Sequence, residues 1–304
     1  MAKHELPPEE EVLGYFTSLS NWGRWGADDG LGTLNHITPE VRRAAAAAVR
    51  IGRSVSAAWP ESEIGRETQV FSDPTAGGEY ADGSMVAIEN IGFCFHGRDM
   101  THLDSLAHMA WEGKTYNGHQ IEEKVGVEAG ATVLDVVEAS NGIVTRGVLI
   151  DVPAVVPDYS PDQPVTVEML EAAETAHGFT VRAGDAVLVR TGYAQVREAN
   201  GGSSPEGART GMDARCLAWL HERDVAVFGS DTTHDIEPFP YEAVPAPFHY
   251  VGIVAMGLWL IDNLYLEDLA RVTAEVGQHD FLFTVAPLRL EGVTGSPVNP
   301  IATL

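Results

Sequence analysis

The sequence predicts an α/β or α+β fold with one mixed core, and three observations carry that expectation. Short uninterrupted apolar runs read as strands buried on both faces: GVLIDV at 147–152, DAVLVR at 185–190 and VAVF at 225–228. Stretches with helical periodicity and stop signals alternate with them. No repeat, low-complexity run or linker divides the 304 residues, so an arm over 1–35 and a single domain over 36–304 are expected.

Taken in order, residues 9–19 follow a polar start and predict a short helix. The stretch NWGRWGADDGLGTLN (21–35) is too rich in glycine for a helix or a strand and reads as an ordered loop. Its Trp22 and Trp25 need a surface to cover, whether in the core, over a site or at a subunit boundary. Thr38 is placed as N-cap and Pro39 in the first turn of a helix that continues through 44–49 and ends at Gly52. Residues 53–59 read as a strand, 60–84 as a long loop, and 85–95 as β-prone. Pro153 ends the first buried strand. Helices are expected over 165–177, closed by Gly178, over 212–223 and over 249–256. Residues 198–211 read as exposed and 237–248 as a Pro-rich connection. Strands at 259–261 and 281–287 precede a loop tail, GVTGSPVNPIATL.

The formal net charge is −25. Such a surface repels phosphate backbones and anionic membranes, so neither nucleic acid nor membrane is an expected partner. Solubility is the ordinary meaning of the acidity. The cysteines, Cys94 and Cys216, are too few for a disulfide framework or a Cys-rich zinc site. The start lacks a basic segment followed by an apolar core, and no window of about 18 apolar residues occurs, so a cytoplasmic protein is expected.

The chemistry concentrates in FHGRDMTHLDSLAHMAWEGKTYNG (95–118). Imidazole and carboxylate suit a divalent metal such as zinc or manganese. His102 and Asp104 are two apart, so an extended segment points both to one face. His108 lies one helical turn beyond Asp104 if the chain turns there. One short element therefore presents three candidate ligands to one point.

These residues resemble the cyclase family of metal-dependent hydrolases, which includes bacterial kynurenine formamidase and isatin hydrolase. The family signature is H-x-G-T-H-x-D-x-P-x-H, and Thr101, His102, Asp104 and His108 match its second half. The 21–35 stretch, GDAVLVRTG, VAVFGSDTTHD, the histidine before IDNL and TGSPVNP resemble the longer branch of the family, from about Asn21 to the C-terminus. The family's first histidine falls on Arg98, its glycine on Met100 and its proline on Leu106. His96 is the substitute for that histidine, or else a structural residue at a strand end. Six extended residues span about 20 Å, so His96 can join His102 only if the chain bends, with Gly97 as the place for it.

The resemblance implies a swivelling β/β/α domain with a central mixed sheet and flanking helices. It also implies a bound Mn²⁺ or Zn²⁺, in one copy where Arg98 replaces the first histidine, and a homodimer or homotetramer. The implied activity is hydrolysis of an amide, lactam or ester bond in a small molecule. His102, Asp104, His108 and His96 are the implied metal ligands, with His108, His249 and Asp262 as catalytic residues. Arg98, as a fork for a substrate carboxylate or an ordinary salt bridge, joins Trp22, Trp25 and Asp231 as substrate-side candidates. Asp231 and His234 follow a buried strand, where site residues are common; Asp231 contacts the site or pins the loop. His119 lines a pocket or a surface loop, and His4, His36, His177, His221 and His279 read as structural or exposed. Metal-dependent cyclisation or dehydration, and a non-catalytic binding protein, are the alternatives.

Overall fold

A computed structural model describes residues 4–60, 69–72, 89–205, 207 and 209–304. The chain folds as a mixed α/β structure around a nine-stranded sheet among these residues. The helices are α1 (Glu9–Ser18), α2 (Pro39–Ala46), α3 (Ile121–Lys124), α4 (Val152–Val155), α5 (Val167–His177), α6 (Tyr193–Ala199), α7 (Arg215–Glu222) and α8 (Glu267–Val276), with a π-helix over Phe248–Met256. The strands are β1 (Ser54–Ser56), β2 (Gln69–Ser72), β3 (Glu89–Gly92), β4 (His102–Asp104), β5 (Val125–Gly126), β6 (Gly130–Ala131), β7 (Ile143–Asp151), β8 (Ala186–Arg190), β9 (Val227–Ser230), β10 (Trp259–Asp262), β11 (Asp280–Val285), β12 (Gly295–Pro297) and β13 (Ile301–Thr303). The sheet order is β1-β13-β11-β7-β8-β9-β10-β4-β12.

The three apolar runs became β7, β8 and β9, which pair in parallel, with β10 parallel beyond them. All five side chains of β8 are buried, as a strand covered on both faces requires. Helix α2 starts as expected, with Thr38 accepting from Val41 N and Pro39 in the first turn, but it ends at Ala46, well before Gly52. Gly178 closes α5 in the left-handed conformation.

Other expectations need correction. The supposed loop of 60–84 contains β2, which pairs with β3; its remaining residues beyond Pro60, and 85–88 of the β-prone stretch, lie outside the described residues. The tail is not a loop: β12 pairs with β4, and β13 bridges β1 and β11. These strands are three residues long, and their order comes from neighbours distant in sequence. Within 198–211, Arg209, Thr210 and Gly211 are buried rather than exposed. Helices α6 and α8 were not expected; α8 buries Leu269, Ala270, Val272 and Thr273. Among the described residues no helix is long and apolar enough to cross a membrane.

The arm is anchored to its own chain. Val12 of α1 is fully buried, Asn21 Nδ2 donates to Met256 O at 2.9 Å, and Trp22 Nε1 donates to Val254 O at 2.6 Å. The Trp22 ring covers Gly118, where an added Cβ would meet it at 3.2 Å. Trp25 stands edge-on to His36, with Arg24 over its face.

Away from the site, His177 and His279 stack with ring centroids 3.6 Å apart. Burial, then the neighbouring His177, push His279 down to about 4 from an ordinary 6.5. The unfolded chain therefore takes up a proton near pH 6.5 that the folded chain refuses until about 4. This contribution is intact above the ordinary value and lost as pH falls toward the depressed one. His279→Asn is expected to lessen the acid-induced fall in thermal midpoint by a few degrees. Calorimetric scans across that window check this; parallel curves for parent and variant would rule it out.

Candidate metal centre

The site forms where β10 meets the antiparallel β4. Asp262 pairs with His102 and Leu260 with Asp104, so the directly opposed His102 and Asp262 share a face with Asp104. His102 Nδ1 donates to Met100 O at 2.9 Å, which leaves Nε2 turned toward Asp104 Oδ1 (3.5 Å) and Asp262 Oδ2 (3.8 Å). The chain then turns, with His108 N bonded to Ser105 O, and this turn brings His108 Nε2 to 3.9 Å from Asp104 Oδ2. It is a turn and not a helix, yet it serves the expected geometry.

His96 joins by a bend. Asn263 Nδ2 donates to both Gly97 O (2.8 Å) and Met100 O (3.1 Å), gathering the loop between them. His96 Nδ1 then stands 3.0 Å from Asp104 Oδ1, with its ring stacked on His108 at 4.1 Å. The approach needs Gly295 on β12: a Cβ there would lie 2.7 Å from His96 Cε1.

The π-helix supplies His249. Its Nε2 lies 3.6 Å from Asp104 Oδ2 and 3.5 Å from Asp262 Oδ2, and its Nδ1 donates to Asp235 Oδ2 at 2.6 Å. Asp235 Oδ1 also accepts from Phe248 N, so one carboxylate fixes both the start of the helix and the imidazole. His234, fully buried, brings Nε2 to 2.7 Å from Asp262 Oδ1, poorly aligned as a hydrogen bond, while Nδ1 meets Ser230 Oγ at 2.8 Å.

The donor set suits a cation. Among the described residues, both oxygens of Asp104, Oδ1 of Asp262 and Nδ1 of His96 are buried without an aligned hydrogen-bond donor or acceptor. Two triads could each hold an ion, His96–His102–Asp104 and Asp104–His249–Asp262, with Asp104 common to both. Burial would raise the Asp104 carboxyl, but His108 and His102 beside it and the His96 contact hold it down to about 2. Asp262, despite burial, is held well below the carboxylate range by His234 and His249. His249 is pushed well above its ordinary value, because Asp262 and Asp235 outweigh its burial. His108 goes the other way: burial dominates and lowers it.

A cavity of about 320 Å³ opens over this cluster, lined among others by His96, Arg98, His108, His249, Tyr250 and Asp262. Arg98 Nη2 meets Glu237 Oε2 at 2.9 Å on its wall. Trp22, Trp25, His119 and Asp231 are not among the lining residues. The two tryptophans are committed to the π-helix and to His36, as described above. Asp231 is fully buried and accepts from Thr191 N and Oγ1, Gly192 N and Tyr193 N, so it pins the start of α6.

Asp235 was missed by sequence reasoning, and His234 was weighed without its partner. Both follow β9 in SDTTHD, an acid- and histidine-rich turn after a buried strand, which was the signal available.

Residues 42–235 match the Cyclase family model, described as "Putative cyclase". The solved structure of a novel cyclase is similar at 26% identity, with a TM-score of 0.83, covering 94% of this chain and 100% of that one. Isatin hydrolase A from Labrenzia aggregata, bound to benzyl benzoate, is similar in fold at 21% identity and a TM-score of 0.58, over 86% of this chain and 96% of that one. An isatin hydrolase bound to the product analogue thioisatinate gives 19% identity and a TM-score of 0.56, over 83% and 92%. No curated protein gives a significant match to the sequence.

Proposed function

The chain belongs to the Cyclase family, and from that premise we propose that it is a metal-dependent hydrolase that opens an amide, lactam or ester bond of a small, flat molecule. One observation carries the reading: two buried carboxylates, Asp104 and Asp262, lie among histidine nitrogens with three oxygens that no aligned donor among the described residues satisfies, at the floor of a cavity of substrate size. His96, His102 and Asp104 would hold the ion, with His249 and Asp262 completing the set or holding a second. Nitrogen and oxygen donors without thiolate suit Mn²⁺ or Zn²⁺.

When bound, a divalent ion lowers the pKa of the water it holds and polarises a carbonyl. His108 lines the cavity and is kept neutral by burial, so it takes the proton of the attacking water and returns it to the leaving nitrogen or oxygen. Asp235 fixes the tautomer of His249 so that Nε2 faces the two carboxylates. Phe239, Tyr250 and Met109 offer an apolar wall to a flat substrate. Isatin hydrolases among the similar folds make cyclic amides the first substrates to try.

Elemental analysis of the purified chain, with isatin and N-formylkynurenine hydrolysis followed by product mass on the same samples, tests this. One or two Mn or Zn per chain are expected, with isatin converted to one product heavier by one water, or N-formylkynurenine split by one water into kynurenine and formate. No metal under metal-replete conditions would remove the mechanism, and a product lighter by one water would turn the reading to dehydration.

A further inference from the structure

One wall of the cavity has an arginine paired to a carboxylate and a second, buried arginine behind it. Arg98 is the sole Lys or Arg among the described lining residues, and Glu237 is its partner. Across the backbone from Glu237 stands a second arginine, Arg209. Arg209 and Glu237 exchange both backbone hydrogen bonds, at 2.8 and 3.0 Å. Arg209 Nη1 donates to Oγ1 of Thr233, itself a lining residue, at 2.9 Å.

Arg209 is 3% exposed, and its Nε and Nη2 have no hydrogen-bond partner among the described residues. Its guanidinium also lies over the Tyr193 ring, 5.6 Å from the centroid. The Glu237 carboxylate is taken by Arg98, and among the described residues no carboxylate pairs with the Arg209 guanidinium. A buried cation without a counter-charge is costly, and a ligand anion offsets that cost. Arg209 occupies the acceptor side of the Thr233 hydroxyl, so the hydroxyl proton is left to donate elsewhere. Arg98 is half exposed and spends one nitrogen on Glu237, so its fork has donors to spare.

We propose that this wall is a carboxylate subsite. The substrate carries a carboxylate that rests on Arg98 and on the Thr233 hydroxyl, with Arg209 as the positioning charge behind Thr233. This rests on the hydrolase reading in that the same cavity takes the substrate. It names the substrate class: a small molecule with an apolar or aromatic body and a carboxylate separate from the carbonyl under attack.

Calorimetric titration of the metal-loaded chain with phenylacetate and its neutral counterpart phenylacetamide tests the subsite without turnover, so a failed hydrolysis assay leaves it standing or falling by itself. Phenylacetate is expected to bind about 10-fold more tightly, the size of a charge-assisted contact. In Arg98→Gln the preference should shrink to within about twofold while phenylacetamide affinity holds; Thr233→Val should weaken the preference and Thr233→Ser keep it. Equal binding of acid and amide by the parent, or binding of neither, overturns the proposal. A preference that survives both Arg98→Gln and Thr233→Val places the carboxylate on the metal instead and also overturns it. Loss of amide binding together with acid binding would assign the pair a structural role.

Discussion

Replacing His102 with alanine is expected to strip the chain of its divalent metal and reduce hydrolysis by more than about 100-fold, beyond what loss of an outer-shell partner usually costs. His102 is 2% exposed, and the Met100 carbonyl holds its ring so that Nε2 faces both Asp104 and Asp262. No other side chain of β4 can replace that nitrogen, because Leu103 points to the opposite face. The parent should also gain thermal stability on adding Mn²⁺ or Zn²⁺, since an ion that binds only the folded chain stabilises it by mass action. In His102→Ala that response should vanish. Metal content by elemental analysis and melting with and without added ion read both effects. A variant that keeps parental metal and parental turnover would remove His102 from the site.

How much of this was legible beforehand follows from distance along the chain. His102, Asp104 and His108 fall within seven residues, and alternation on a strand plus one turn was enough to bring them together. Spacing alone could not bring in His249 and Asp262, because a π-helix and a parallel strand must first deliver them across the sheet. Their family resemblance supplied what periodicity could not. His96 was a geometric problem in the sequence, six residues from His102. The solution lies in Asn263, 166 residues beyond Gly97, whose side chain gathers the bend, and in Gly295, which leaves room for the ring. Trp22 and Trp25 stand in a glycine-rich loop that the sequence leaves open between the core, a site and a subunit boundary; within the chain their contacts are an indole N–H bonded to Val254 and an edge contact with His36.

The fold shows the same division. Buried parallel strands announce themselves as apolar runs, and β7, β8 and β9 overlap the runs at 147–152, 185–190 and 225–228, with β7 beginning earlier and β9 reaching further. Gly295–Pro297 and Ile301–Thr303 have no period to read and lie among prolines. They are strands because β4, β1 and β11 offer edges to them. Helix α8 was legible and was passed over: Leu269, Ala270, Val272 and Thr273 form one buried face.

Asp235→Asn is expected to lower turnover or metal affinity by roughly 10- to 100-fold, although Asp235 touches neither Asp104 nor Asp262. Its two oxygens serve two donors, Phe248 N at 2.8 Å and His249 Nδ1 at 2.6 Å. An asparagine of the same shape offers one acceptor, so one donor is left facing an NH₂ group. If Phe248 N keeps the oxygen, His249 loses the bond that holds its Nε2 toward Asp104 and Asp262. The variant has a second signature in pH. In the metal-free chain, burial opposes a charge on His249, but Asp262 and Asp235 together raise its pKa well above the ordinary value. A raised histidine contributes stability that is complete below about 6.5 and is lost as pH climbs through the raised value. Removing one of the two carboxylates lowers that ceiling. Metal-free Asp235→Asn should therefore lose most stability relative to the parent near pH 6, with the gap narrowing as pH rises. Metal must also displace that proton, so metal uptake by the variant should depend on pH less steeply above neutrality than uptake by the parent. Thermal midpoints of the metal-free pair across pH, beside metal titrations, decide it. A constant offset between the two curves would reduce Asp235 to a cap on the π-helix.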